Sequence, residues 1–248
     1  MAAGRPMVSM AAAGASEGWK AMIDSRAARV AAVGVVLAGF LLLGLAAARR
    51  ASVTFDEFAH TPAGVAYWKE GAFHLYAHNP PLARLIAALP ILNSAQLPPL
   101  SPVVRTDPEY RWEYAEDFMI RNLGRLPGGE PDGSAYDQMV FRSRLPVIFL
   151  GAALGGLIFL WSRQLFGFGG GLLSLTLYAF CPNMLAHASL ATTDLAAAFF
   201  STLAMFALYR YGKERTNVNL GLAGAAFGLA VSAKFTALVL FPLAALLA

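Results

Sequence analysis

Six apolar runs, each approaching the length of a bilayer crossing, constrain this chain more than any other feature. They lie at 30–48, 145–161, 165–180, 195–209, 218–233 and 235–248. A helix rises about 1.5 Å per residue, so roughly 20 apolar residues cross the ~30 Å hydrocarbon core. The chain is 57% hydrophobic and only 14% charged, against about 25% charged in soluble domains. Its mean hydropathy is +0.54. These runs predict an all-α polytopic membrane protein with about six transmembrane helices and a long first outer loop, residues 49–144.

Residues 1–28 are rich in Ala and Gly and carry no core pattern; they are expected to form a mostly disordered tail. "LAAARRA" loosely resembles a signal-peptide cleavage site, but run 30–48 is longer than the usual 7–15-residue apolar region of a signal peptide. It is therefore read as an uncleaved first span. Cys181 is the single cysteine, which excludes an internal disulfide. The net charge of +4 fits helix orientation better than nucleic-acid binding, because no cluster of Arg and Lys interleaves with aromatics.

The short-loop cations set a topology. Lys20, Arg26 and Arg29 precede the first span, Arg163 follows the second, and Arg210, Lys213 and Arg215 follow the fourth. A cytoplasmic N-terminus places all three groups inside. Arg49, Arg50, Arg142 and Arg144 then lie outside, flanking a loop long enough for the rule to weaken. All four histidines (His60, His74, His78, His187) fall on the outer side with Asp56, Glu57 and Asp194. Avoidance of lipid explains why they sit in loops, but not why they share one side; chemistry at the outer face explains both.

The outer loop has helical stretches of its own. Residues 58–69 space apolar side chains helically. "PLARLIAALPIL" (81–92) is amphipathic. "PEYRWEYAEDFMIRNL" (108–123) alternates charge and aromatics, with Asp107 in the N-cap position. "LPGGEPDGS" (126–134) reads as a flexible loop.

Four stretches could carry chemistry. In "TFDEFAH" (54–60), Asp56 and Glu57 lie one helical turn before His60. One acid can face a site while the other pairs locally, or both can cap the helix that starts there. In "HNPPLAR" (78–84), Pro81 can start a helix that puts Arg84 one turn in, beside an anionic headgroup or simply snorkelling. In "LATTDLAAAFF", Asp194 opens the fourth span as a cap or as a site carboxylate. Lys234, in "AVSAKFTAL", lies at a break between apolar runs, as an anchor or a functional cation. No HExxH occurs, which removes the zinc-protease reading.

Together the pattern FDE-x-x-H, Y-x-K-x-G-x-F, H-x-PPLAR resembles the first outer loop of protein O-mannosyltransferases and related enzymes of glycosyltransferase family 39, in the GT-C superfamily. "RLPVIFLGAALGGLIFLWSRQLFG", "TTDLAAAFF" and "GLAGAAFGLAVSAKFTALVLFP" follow in order, so the resemblance spans residues 50–242 or so. The bacterial, phospholipid-carrier-dependent branch is most similar. Asn79 directly precedes the two prolines where the eukaryotic enzymes have a histidine, His78 stands one place earlier, and Arg84 replaces a common lysine.

The resemblance implies that residues 29–248 are the N-terminal part of a transmembrane transferase module that continues with further spans. It implies a sugar donor linked to polyprenyl phosphate and inverting transfer to a hydroxyl on a protein, lipid or glycan at the outer face of a bacterial inner membrane. A phosphate leaving group departs without a proton, so such a site needs a base for the acceptor and cations for the phosphate. By the resemblance Asp56 is the base, with Glu57 in support and Asp194 fixing a substrate or sharing a divalent cation with Asp56; the metal stays unassigned. Arg84, Lys234 and Arg144 would hold the donor phosphate. His60, His78 and Asn79 would support the site. A transporter is the competing class, since ionisable groups near membrane breaks mark ion pathways; the chain shows no inverted repeat. A non-catalytic membrane scaffold is the third.

Overall fold

A computed structural model describes residues 25–100 and 110–247. The tail expected at 1–28 falls mostly outside them, as does the Asp107 cap. The chain is an all-α membrane protein, with three described helices long and apolar enough to cross a bilayer. They are α1 (Arg26–Arg50), α5 (Ser134–Ala179) and α7 (Asp194–Lys213). Between them lie α2 (Phe55–Glu70), α3 (Leu82–Ala88), α4 (Tyr110–Asn122) and α6 (Pro182–Ala188). After α7 come α8 (Asn217–Ala233) and α9 (Leu240–Leu247).

The 46-residue α5 is a hairpin rather than one rod. Gly167 sits at φ 72°, ψ −173°, a conformation open to glycine at little cost, and the chain reverses there. A Cβ on Gly155 would lie 3.0 Å from the Tyr178 ring, and one on Gly171 would lie 3.0 Å from the Phe159 carbonyl. The two arms therefore pack antiparallel, and Tyr178 Oη donates to the Gly151 carbonyl at 2.8 Å. They match the second and third apolar runs. The first arm begins at Ser134, inside the stretch assigned to the outer loop, so Arg142 and Arg144 are helical.

α1 runs along this hairpin, and Phe40 fills the space left by Gly151. α7 and α8 pack through Ala196, Phe200, Ala204, Ala226, Phe227 and Ala230. Small residues let the two backbones approach closely. Only one face of α8 is packed in this way: Gly221, Gly224 and Gly228 have nothing within 4 Å of a would-be Cβ. The run from 235 splits into a 3₁₀ turn, Phe235–Val239, and the eight-residue α9.

This packing separates two ends. Arg29 lies over Phe168 beside the hairpin turn, and Trp161 stacks near Tyr209, which Lys213 also reaches. At the other end are α2, α3, α6 and the start of α7. The one-sided grouping of acids and histidines read from the sequence is thus a feature of the fold.

α2 and α3 cross where Gly64 meets the Arg84 carbonyl; a Cβ on Gly64 would overlap that carbonyl oxygen and lie 3.1 Å from Ala88 Cβ. Trp68 Nε1 donates to the Leu85 carbonyl at 2.8 Å, and Lys69 Nζ to that of Ala95 at 2.8 Å. α4 packs on α2, and its Asn122 side chain bonds both backbone groups of Gln96. The stretch at 126–134, expected to be loop, is framed by a two-residue antiparallel pair, Gly124–Arg125 with Pro131–Asp132.

Candidate active site

Thr54 opens α2, which makes Asp56 and Glu57 its second and third residues. The Glu57 carboxylate accepts from the Thr54 N–H and hydroxyl, both at 3.0 Å, the reach-back half of a capping box. The cap reading therefore holds for Glu57, and its role extends further. Arg144 meets Glu57 two-pronged, Nε to Oε1 and Nη2 to Oε2, each at 2.7 Å. The Ala191 N–H donates to Oε1 at 2.8 Å. One carboxylate thus ties together the start of α2, the first arm of α5 and the loop that leads to Asp194.

Arg144 completes the knot. Nη1 donates to the carbonyls of Ala48 and Ala51, and Nη2 to that of Ser52. These include carbonyls left open at the end of α1, and a cation there is favoured by the helix dipole. All five guanidinium N–H groups are used. Glu57 is 0% exposed and Arg144 is 2% exposed. Burial alone would raise the Glu57 carboxyl; the hydrogen bonds from Arg144, Ala191 and Thr54, with the Arg144 charge, outweigh it and hold the group below the usual carboxylate range.

Asp56 is the opposite case. It is exposed, one residue from Glu57, on the outward side of the same turn. His60, one turn on, is buried and packs edge-on against Tyr76 at 4.8 Å. Burial and the nearby Arg84 charge push the imidazole down to about 4, against the pull of Asp56, Ala191 and Asp194. A neutral His60 thus sits within electrostatic reach of both carboxylates.

Asp194 begins α7, but its side chain turns away from the backbone. It bonds Lys234 Nζ at 2.5 Å and lies 3.7 Å from His187 Nδ1. The two partners of the Asp194–Lys234 pair are 42% and 27% exposed. Lys234 stands in extended backbone at the end of α8, where the break turns its ammonium toward α7.

Arg84 is 1% exposed. Nη2 donates to the carbonyls of Tyr76, Asn79 and Pro80, so Asn79 contributes through its backbone. The guanidinium lies 4.3 Å from the Tyr76 ring centre and 5.5 Å from that of Tyr67. No carboxylate pairs with it among the described residues, and Nε and Nη1 lack hydrogen-bond partners. Burial lowers its proton affinity, opposed by the two tyrosines. His78 lies 5.5 Å from Tyr76.

Tyr76 is the residue that sequence reasoning missed. Its ring touches His60, His78, Arg84 and Arg111, the last at 5.7 Å. The signal was an aromatic set between two histidines in "FHLYAHN". Among the described residues no three His, Cys, Asp or Glu side chains gather closely enough to hold a metal ion.

No curated protein and no solved structure matches the chain. Residues 137–248 match the model of the family described as dolichyl-phosphate-mannose-protein mannosyltransferase. That segment contains Arg144, Asp194 and Lys234, while α2 and α3 precede it. Over those residues, less than half of the chain, it is similar to membrane glycosyltransferases of GT-C type, which supports a family 39-like assignment.

Proposed function

We propose that this end of the bundle transfers a sugar from a polyprenyl-phosphate carrier to a hydroxyl, with inversion, and that Asp56 is the base. The observation that carries the reading is the division of labour between neighbouring carboxylates. Glu57 is buried and fully bonded, whereas Asp56 is exposed and has no hydrogen-bond or ion-pair partner among the described residues. A base must reach the acceptor proton, and only Asp56 of the two can.

The acceptor hydroxyl approaches Asp56, which takes its proton as the oxygen attacks the anomeric carbon from the face opposite the phosphate. The C–O bond to phosphate breaks, and its electron pair leaves with the phosphate. Lys234 is the cation within reach of that charge; it would exchange Asp194 for the phosphate or bridge the two. Arg84, with two open nitrogens, offers a second positive group beneath Tyr76. Arg144 has no N–H to spare, so it serves by positioning Glu57 rather than by holding the donor. Asp194 orients Lys234, and His60 stays neutral between the acids. A divalent cation, if shared by Asp56 and Asp194, would have to take its remaining ligands from substrate or water.

The face that gathers these groups would be the outer one, with the N-terminus in the cytoplasm of a bacterium and the chain in its inner membrane. Membranes containing the full-length protein should consume labelled polyprenyl-phosphate hexose, mannose first among them, and yield a sugar-modified protein, lipid or glycan. Failure to consume any such donor, in membranes where the protein is inserted and folded, would sink the proposal.

A further inference from the structure

The end opposite the acids holds a cleft of about 520 Å³ that the transfer reaction does not use. One wall is α1, which presents Arg26, Arg29 and Val33 at helical spacing on one face. The other is the hairpin, where Phe159 and Arg163 lie one turn apart and Phe168 follows the reversal at Gly167. None of the described residues lining the cleft is acidic. Arg29 lies 5.4 Å from the Phe168 ring centre, which holds its guanidinium at the mouth.

The order of these groups along the helices matters more than their sum. The arginines stand at the helix ends, Arg26 and Arg29 where α1 begins and Arg163 just before the turn. Val33 and Phe159 stand one turn further into the bundle. Charge therefore sits at the level of a membrane interface and apolar surface below it. A free anion would need only the rim. A molecule with a phosphate head and a hydrocarbon body uses both levels, and basic pockets between spans bind such headgroups.

We infer that this cleft is a binding site for an anionic glycerophospholipid, with the phosphate between Arg26 and Arg163 and one acyl chain against Val33 and Phe159. The site stands apart from the transfer site and does not depend on that reading. The full-length protein would be extracted from an equal mixture of phosphatidylglycerol and phosphatidylcholine, and retained lipid counted by native mass spectrometry. Wild type should retain phosphatidylglycerol preferentially. R26Q/R163Q should reduce that retention about five-fold for each cation removed, while R26K/R163K keeps most of it. Val33→Trp, which fills the cleft and leaves every arginine in place, should reduce it as well. Arg215→Gln, at the same end but outside the cleft, should not. Unchanged retention in both R26Q/R163Q and Val33→Trp would overturn the inference. So would equal loss in Arg215→Gln, which would mean diffuse charge, or full displacement of lipid by millimolar inorganic phosphate, which would mean a simple anion site. Should R26Q/R163Q fail to fold, Val33→Trp against Arg215→Gln decides the matter.

Discussion

Two carboxylate–cation pairs share one end of this molecule and differ in almost every physical respect. Glu57 and Arg144 are buried, two-pronged and saturated by backbone groups from three segments. Asp194 and Lys234 meet at one contact and are part-exposed. The first pair is architecture, because its removal would leave charges and carbonyls without partners in a dry place. The second is open to exchange, because water can replace either member at small cost and an anionic ligand can take the place of Asp194 beside Lys234. The exposed Asp56 belongs with the second kind, although it is bonded in sequence to the first.

The largest test of that contrast is to remove one buried partner. Glu57→Gln should destabilise the protein by about 3–5 kcal/mol, the usual cost of leaving a buried charge alone. Thermal unfolding in detergent would measure it. Replacing Arg144 as well should not restore stability, since the carbonyls of Ala48, Ala51 and Ser52 would remain open. Full recovery in the double variant would mean that the pair, and not the knot around it, is what matters.

Next is acid. Glu57 sits below its ordinary value of 4.5 when folded, so its stabilisation is complete above about pH 4.5 and fades as pH falls toward the folded value. His60 is lowered from 6.5 to about 4. Between those values the unfolded chain binds a proton that the folded chain refuses, so stability falls as pH drops from about 6.5 to about 4, and this loss then levels off. His60→Asn should flatten the stability profile in that window and leave the Glu57 limb below it. A profile unchanged by His60→Asn would refute the buried neutral imidazole.

Gly64→Ala should cost about 1–3 kcal/mol, because the added methyl would overlap the Arg84 carbonyl where α2 crosses α3. Lys234→Ala should change stability by less than about 1 kcal/mol, as expected of a part-exposed, single-contact pair, and should chiefly weaken donor binding. A large stability loss with unaltered donor affinity would move Lys234 into the architectural class.

The parts legible in the sequence are those written in local periodicity. Apolar runs located α1, both arms of α5, α7 and α8. The side on which acids and histidines gather followed from counting cations at the other. The spacing of Asp56, Glu57 and His60 allowed one acid to face outward while its neighbour paired, and equally allowed both to cap the helix. What lay beyond reach depends on contacts between distant residues. Arg144 meets Glu57 across 87 positions, and no pattern near either residue says that the guanidinium will be consumed by the end of α1. Arg84 read as an interfacial cation because Pro81 starts its helix; its burial arises from Tyr67 and Tyr76, which other segments bring over it. The gap between runs fell at 162–164, whereas the reversal is at Gly167, inside the third run, and neither position foretold the wall of a cleft.

The central claim is that Asp56, and not its neighbour, takes the acceptor proton. Sugar transfer by Asp56→Asn in the full-length protein, scored against donor consumption in the same membranes, tests it most directly. Transfer should fall by about 10²–10⁴-fold, the range for loss of a general base, with thermal stability and membrane insertion unchanged. Wild-type turnover in Asp56→Asn would contradict the account.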